Sequence, residues 1–159
     1  MLARKEYTRQ EIKTARELVD QALRAYKALP AAAKTKEFEA FYFNREVRLL
    51  DHMFMYRMMA IEGKDGNPLV EVRVLCNSLL LNGGILQVEK LPDWPDSAGA
   101  QLKLPPEKSV LKLKARDEVK LTQADFVRLS TAFFATLEEK FSGAHIPDSP
   151  LRLRKTFRR

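Results

Sequence analysis

Residues 53–61 read MFMYRMMAI, where one charged side chain, Arg57, stands among eight apolar or aromatic neighbours. A charge placed in such a run needs a partner, because a guanidinium that is buried and unpaired is costly. Apolar residues on nearly every face predict a helix that is buried all round. Such a helix lies either at the centre of the fold or in the interface of a homodimer, and both hypotheses are open from the sequence.

Two central helices follow from the sequence around this stretch. The second helix of the chain is predicted over about residues 36–62 and contains Arg57. A glycine-containing turn at 63–67 ends it, and Asn67 followed by Pro68 is typical of the cap and first position of a third helix over about 68–82. Because the turn is short, the two helices are predicted to form an antiparallel pair.

The first and last helices are predicted from their starting signals. Thr8 and Glu11 form the Thr-x-x-Glu pattern of a capping box, and apolar residues then recur at helical spacing until Pro30. Thr122 and Asp125 predict a second cap of this kind, which begins a helix that runs to about residue 141.

Residues 109–121 show a different pattern. Apolar and charged residues alternate in SVLKLKARDEVKL on both sides of Arg116-Asp117, which predicts two antiparallel strands joined by a turn. The predicted class is therefore mainly α (α+β), with about four helices and a small β-hairpin. Residues 1–143 form one predicted helix-rich domain that contains a long proline-containing loop at 91–107, and residues 144–159 form a basic C-terminal tail.

Composition limits the classes of protein to which the chain can belong. The chain has 159 residues, 45% of them hydrophobic and 31% charged, as in ordinary globular domains. No apolar run reaches the roughly 18 residues of a membrane span, so no membrane partner is predicted. Cys76 is the only cysteine, which favours a reducing compartment, and the cytoplasm is the predicted location.

The formal net charge of +7 is concentrated at the ends of the chain. A basic tail is typical of segments that bind nucleic acid or an acidic protein surface. The predicted function is therefore that of a non-catalytic binding or regulatory protein with an anionic partner. Trp94, in the long loop, is a second candidate anchor for a partner. The candidate binding residues of the tail are Arg152, Arg154, Lys155, Arg158 and Arg159.

Two alternatives rest on other residues. Arg48, Asp51 and His52 share one face of the second helix, and an arginine with a histidine can cleave RNA without a metal, so a metal-independent nuclease is one alternative. A small-anion pocket around Arg57 is the other. The histidines and the cysteine are not spaced as zinc ligands, and no metal or cofactor is predicted. For Arg57 itself, the folded-back helices predict an ion pair with Glu71.

Overall fold

The computed structural model describes residues 3–88 and 104–143, and most of these residues are helical. The mainly helical class predicted from the sequence is confirmed. None of the helices in this part of the chain is long and apolar enough to cross a membrane. The helices are α1 (Arg9–Lys27), α2 (Lys36–Met53), α3 (Met59–Glu62), α4 (Pro68–Leu81) and α5 (Gln123–Phe141), with a 3-10 turn at Ala31–Ala33.

Side-chain caps fix the starts of the long helices. The Thr8 hydroxyl accepts from Glu11 N, and the Glu11 carboxylate accepts from Thr8 N, so the predicted capping box is complete. Thr122 and Asp125 form the same reciprocal pair at the start of α5. Asn67 caps α4 by accepting from the first backbone N–H groups. These caps satisfy N–H groups that have no partner within the helix, which is why these starts are readable from local sequence.

The core lies where α5 meets the other helices, since it contacts α1, α2, α3 and α4. Phe43 from α2 packs against Phe126 from α5, with ring centroids 5.4 Å apart, and both are fully buried. The predicted contact between the second and third helices is present, because α2 packs against α4. There the Cys76 thiol donates to Val47 O over 3.5 Å.

The second helix does not run to residue 62 as predicted. It ends at Met53, the chain turns through residues 54–57, and only the short α3 follows. The turn also exposes side chains that the prediction placed in the interior, since Met55 is 41% exposed and Tyr56 is 42% exposed. The apolar run is therefore not a helix buried on all faces. Within this run Phe54 and Arg57 are buried, because the turn directs both side chains into the interior.

Residues near the start of the chain form backbone hydrogen bonds with this turn. Arg4 N donates to Tyr56 O over 2.7 Å, and Met58 N donates to Arg4 O over 2.9 Å. Three residues later, Tyr7 N donates to Phe141 O over 2.9 Å, at the end of α5. The backbone groups that the turn leaves without helical partners are thus paired by residues from the start of the chain.

The predicted β-hairpin is wrong, because the described residues contain no strand. Lys112 and Arg116 have φ angles of 59° and 74°, which interrupt the extended backbone that a strand requires. Residues 116–119 instead bond to residues 84–86, through an isolated antiparallel bridge between Ile85 and Glu118.

The physical reason for the lost hairpin is the buried carboxylate of Glu71 on α4. It accepts from Ser109 Oγ over 2.8 Å, from Val110 N over 2.7 Å and from Leu111 N over 3.1 Å. Two backbone donors that a strand ladder would use are thereby bonded to a side chain. The alternation of apolar and charged residues does not reveal such a competitor.

Part of the predicted organisation lies outside the described residues. This applies to residues 91–103 of the predicted loop, which include Trp94, and to the predicted tail at 144–159. The last residues of that loop are described, and Leu104 joins the hydrophobic core.

The Arg4–Glu11 pair at the start of α1 gives a prediction about pH. Arg4 Nη1 lies 2.6 Å from Glu11 Oε1, and this bond is the main reason that the pKa of Glu11 falls from 4.5 to about 2. A carboxyl whose pKa is depressed by folding stabilises the fold above its unfolded pKa. That contribution is lost as the pH falls from 4.5 towards 2. In Arg4→Met the pKa should rise, but stay below 4.5 because Thr8 still donates to Glu11.

The measurement is an NMR titration of the Glu11 carboxyl in both proteins. Lys13→Met is the matched control, because Lys13 pairs with Glu17 at 3.9 Å and not with Glu11. The prediction fails if Arg4→Met leaves the Glu11 pKa near 2, or if Lys13→Met raises it equally.

Candidate functional site

Arg57 is held by the turn that contains it. Its guanidinium donates to Asp51 Oδ1 over 2.9 Å, to Glu62 Oε1 over 3.1 Å and to Phe54 O over 2.9 Å. The side chain has no exposed surface, and that of Glu62 has none either. Asp51 lies near the end of α2 and Glu62 lies in α3, so Arg57 is bonded to carboxylates from both sides of the turn.

A second arginine completes this cluster. Arg73 on α4 donates to Glu62 Oε2 over 2.6 Å and to Glu62 Oε1 over 3.2 Å. Burial acts against the charged form of Arg73, but the bonds and charge of Glu62 outweigh it and raise the pKa of Arg73. Two arginines and two carboxylates together carry no net charge. We call Asp51, Arg57, Glu62 and Arg73 the buried ionic cluster.

The prediction that Arg57 pairs with Glu71 is wrong in its partner. Glu71 bonds to residues 109–111, while Arg57 bonds to Asp51 and Glu62. The prediction assumed a continuous second helix that folds back at residues 63–67. Because the chain already turns after Met53, Arg57 meets residues on either side of that turn instead of the facing side of α4.

The cluster also bears on the hypothesis of a small-anion pocket around Arg57. Two carboxylates already neutralise the guanidinium, and Phe133 packs over it, with the ring centroid 5.4 Å from the Arg57 Cζ atom. Among the buried side-chain nitrogen and oxygen atoms of the described residues, only Arg57 Nε has no hydrogen-bond partner. An anion placed there would meet the charges of Asp51 and Glu62 at short range, and that repulsion opposes binding.

The three residues of the predicted nuclease site have separate surroundings. Arg48 and His52 are exposed on α2, whereas Asp51 is partly buried and accepts from Arg57. A carboxylate that is bonded to a buried arginine is poorly placed to orient His52 for proton transfer. The structure therefore brings Arg48 and His52 together on the surface and takes Asp51 into the buried ionic cluster.

Sequence reasoning missed a surface that includes two of these residues. Phe41, Arg45, Arg48 and His52 are all exposed, at spacings of four, three and four along α2. This spacing places them on one face of a helix. We call these four residues the α2 surface row. The signal was in the sequence, because Phe43, Val47 and Leu50 mark the opposite, buried face.

Charges in the α2 surface row are not cancelled by ion pairs. Arg16 and Arg128 pair with Glu138 and Asp125, but within the described part of the chain no salt bridge reaches Arg45 or Arg48. Burial raises the pKa of Glu46, the carboxyl beside Arg45, in spite of that neighbouring cation. The exposed Glu37, one turn before Phe41, is the acidic residue at this end of the face.

The structure gives no support to a nucleophilic cysteine or to a metal site in the described residues. Burial raises the pKa of the Cys76 thiol well above its usual value, so the thiolate that a nucleophile requires is disfavoured. Among residues 3–88 and 104–143, no group of three or more histidine, cysteine or acidic side chains is arranged to hold a metal.

An open cavity of about 350 Å³ lies between the start of α1 and the end of α2, where Leu18 and Met53 line it. Its acidic group, Glu11, is bonded to Arg4 and Thr8.

The remaining candidates for binding lie outside the described residues, namely Trp94, Arg152, Arg154, Lys155, Arg158 and Arg159.

No family model matches the chain, and comparisons with curated proteins and with solved structures found no match.

The buried ionic cluster predicts which pairs of substitutions are coupled. Removing one partner of a buried ion pair costs about 3–5 kcal/mol, because the other charge is left without compensation. Arg57→Met and Glu62→Gln should therefore each destabilise strongly, and together they should depart from additivity by about 0.5–3 kcal/mol. The measurement is the free energy of unfolding in urea for both single variants and the double variant.

The matched control pairs Arg57→Met with Glu71→Gln. Glu71 is also a buried carboxylate, but it shares no hydrogen-bond partner with Arg57. These losses should add within about 0.5 kcal/mol. Coupling of Arg57 to Glu71 together with additivity towards Glu62 would contradict the assignment of partners.

Proposed function

We propose that the protein is a non-catalytic binding protein that contacts an anionic partner, with nucleic acid as the foremost candidate. The observation that carries the proposal is the α2 surface row, which exposes two arginines and a histidine on one helix face, and no carboxylate of the described residues forms a salt bridge with them. A row of unpaired cations attracts phosphates and releases the counterions condensed on nucleic acid.

Buried acids and bases support a binding role over catalysis. Glu62 joins two arginines, Glu71 holds residues 109–111, and Asp51 is bonded to Arg57. Each of these carboxylates already has donors that the fold requires. Catalysis by a general acid or base needs a group that is free to exchange its proton with the substrate.

The basic C-terminal segment contributes to the same proposal from outside the described residues. Residues 151–159 contain five cations and no acidic residue, so their removal takes the formal net charge from +7 to +2. In this proposal the α2 surface row sets where the partner lies on the described part of the protein, and the basic C-terminal segment adds attraction that does not depend on the sequence of the nucleic acid.

Salt dependence of binding tests the α2 surface row. Log affinity for duplex DNA falls with log salt by about 0.9 for each phosphate that a cation neutralises. If both arginines engage, Arg45→Gln combined with Arg48→Gln should reduce the magnitude of that slope by about 1.8. The measurement is fluorescence anisotropy with a labelled random-sequence duplex at several salt concentrations.

The control is Lys114→Gln combined with Arg116→Gln, which makes the same change of charge on exposed residues of another segment. It should change the slope much less. If both double variants behave alike, attraction depends on net charge alone and the α2 surface row is not the contact.

Truncation after Pro150 tests the tail. If all five cations meet phosphates, the slope should fall in magnitude by about 4 to 5, and if half of them engage, by about 2. Thermal melts of the full chain and the truncated chain show whether the fold is retained. An unchanged slope would remove the tail from the proposed function.

A further inference from the structure

Phe41 is the most exposed large hydrophobic residue among those described, with 57% of its surface accessible. Isolated exposed apolar residues are common on protein surfaces and need no explanation by themselves. Phe41 differs because a cation accompanies it. The Arg45 Cζ atom lies 5.2 Å from the centroid of the Phe41 ring, and Arg48 and His52 continue the same row.

The position of the Phe41 ring is supported from below by other aromatic rings. The Phe38 centroid lies 6.3 Å from that of Phe41, and Phe38 in turn stacks on the buried Tyr26 at 6.5 Å with an interplanar angle of 10°. Tyr26 also packs edge-on against the fully buried Phe43 at 4.8 Å. The exposed ring is thus the outer member of an aromatic cluster that is anchored in the core. Anchoring of this kind reduces the entropy that a side chain loses on binding.

We propose that the partner of the α2 surface row is a single-stranded nucleic acid, one base of which stacks on Phe41 while Arg45, Arg48 and His52 follow its phosphates. This inference rests on the proposed function and narrows its partner. Single strands are bound by positively charged surfaces together with aromatic side chains on which bases stack. The row joins these two features between Phe41 and His52, which are 11 residues apart, or about 16 Å at 1.5 Å per residue.

A duplex suits the row less well. Its bases are stacked on one another and paired, so it offers the exposed Phe41 no free base face, and only the cations contribute. An acidic peptide has the same limitation, since its carboxylates pair with arginine but gain nothing from an aromatic face. Both Phe41 and the arginines have a role only when the partner supplies charge together with a flat, unstacked ring.

The experiment measures the affinity of the full chain for three labelled probes by fluorescence anisotropy at one salt concentration. The probes are an oligothymidine of about 12 nucleotides, a duplex of the same length and a polyglutamate peptide. Phe41→Leu keeps an apolar side chain and removes the aromatic face. Phe41→Trp replaces the ring with a larger aromatic one. Leu80→Ala, at a residue of α4 that is 56% exposed, is the matched control.

Phe41→Leu should weaken binding of the oligothymidine by about 5- to 150-fold, the loss expected for one stacked base. Phe41→Trp should retain or improve the affinity, and Leu80→Ala should leave it unchanged. The affinity for the duplex should be the same for all three variants as for the unsubstituted protein. Thermal melts confirm that each variant is folded, which the exposure of both sites leads us to expect.

The possible outcomes separate the inference from the proposed function. Equal affinity for single strand and duplex, with no effect of Phe41→Leu, overturns the stacking inference and leaves the anionic partner in place. Binding to polyglutamate alone overturns nucleic acid as the partner, and with it the stacking inference, but leaves an anionic partner in place. If none of the three probes binds, the proposed function itself is wrong.

Discussion

The charge of Arg57 dictates how the middle of the chain is arranged. A guanidinium without exposed surface needs carboxylates at hydrogen-bond distance. In a straight second helix neither Asp51 nor Glu62 would have the spacing of three or four residues from Arg57 that brings side chains together. By ending α2 at Met53, the chain brings Glu62 back onto Arg57 and lets Arg73 reach the same carboxylate. The position of α4 against α2 therefore depends on a short, irregular segment that contains a buried charge. Hydrophobic packing could hold the two helices at a similar distance, but the ion pairs fix which residues meet.

The features that the sequence predicted well are those that depend on neighbours in the chain. Thr8 with Glu11, Asn67, and Thr122 with Asp125 cap helices through residues two or three positions away, so α1, α4 and α5 begin where predicted. The errors arose where distant residues compete for the same backbone. Glu71 removes donors at 110 and 111 from any strand, and residues 3–7 stabilise a break in the second helix. Neither partner is visible in the local pattern of apolar residues.

The candidate site shows the same division. Arg48 and His52 were identified as neighbours on one face. Asp51 was grouped with them because it stands three residues after Arg48, and nothing in the helical spacing shows that it bonds to Arg57. The buried face of α2 is marked by Phe43, Val47 and Leu50, and the same spacing points Phe41 and Arg45 outward beside Arg48. The surface row was therefore predictable from the period of the helix. The buried ionic cluster was not, since its members lie on three elements whose arrangement follows from the turn itself.

The bonds of the N-terminal segment have a consequence for how the protein is made. A ribosome releases residues 4 and 7 long before residue 141, yet Tyr7 is hydrogen-bonded to Phe141, and α5 is the helix against which the other four pack. During synthesis, the apolar faces of α1, α2 and α4 that pack against α5 stay uncovered until α5 has left the ribosome. Completion of the core therefore waits for α5, and until then the nascent chain has the exposed hydrophobic surface that chaperones bind.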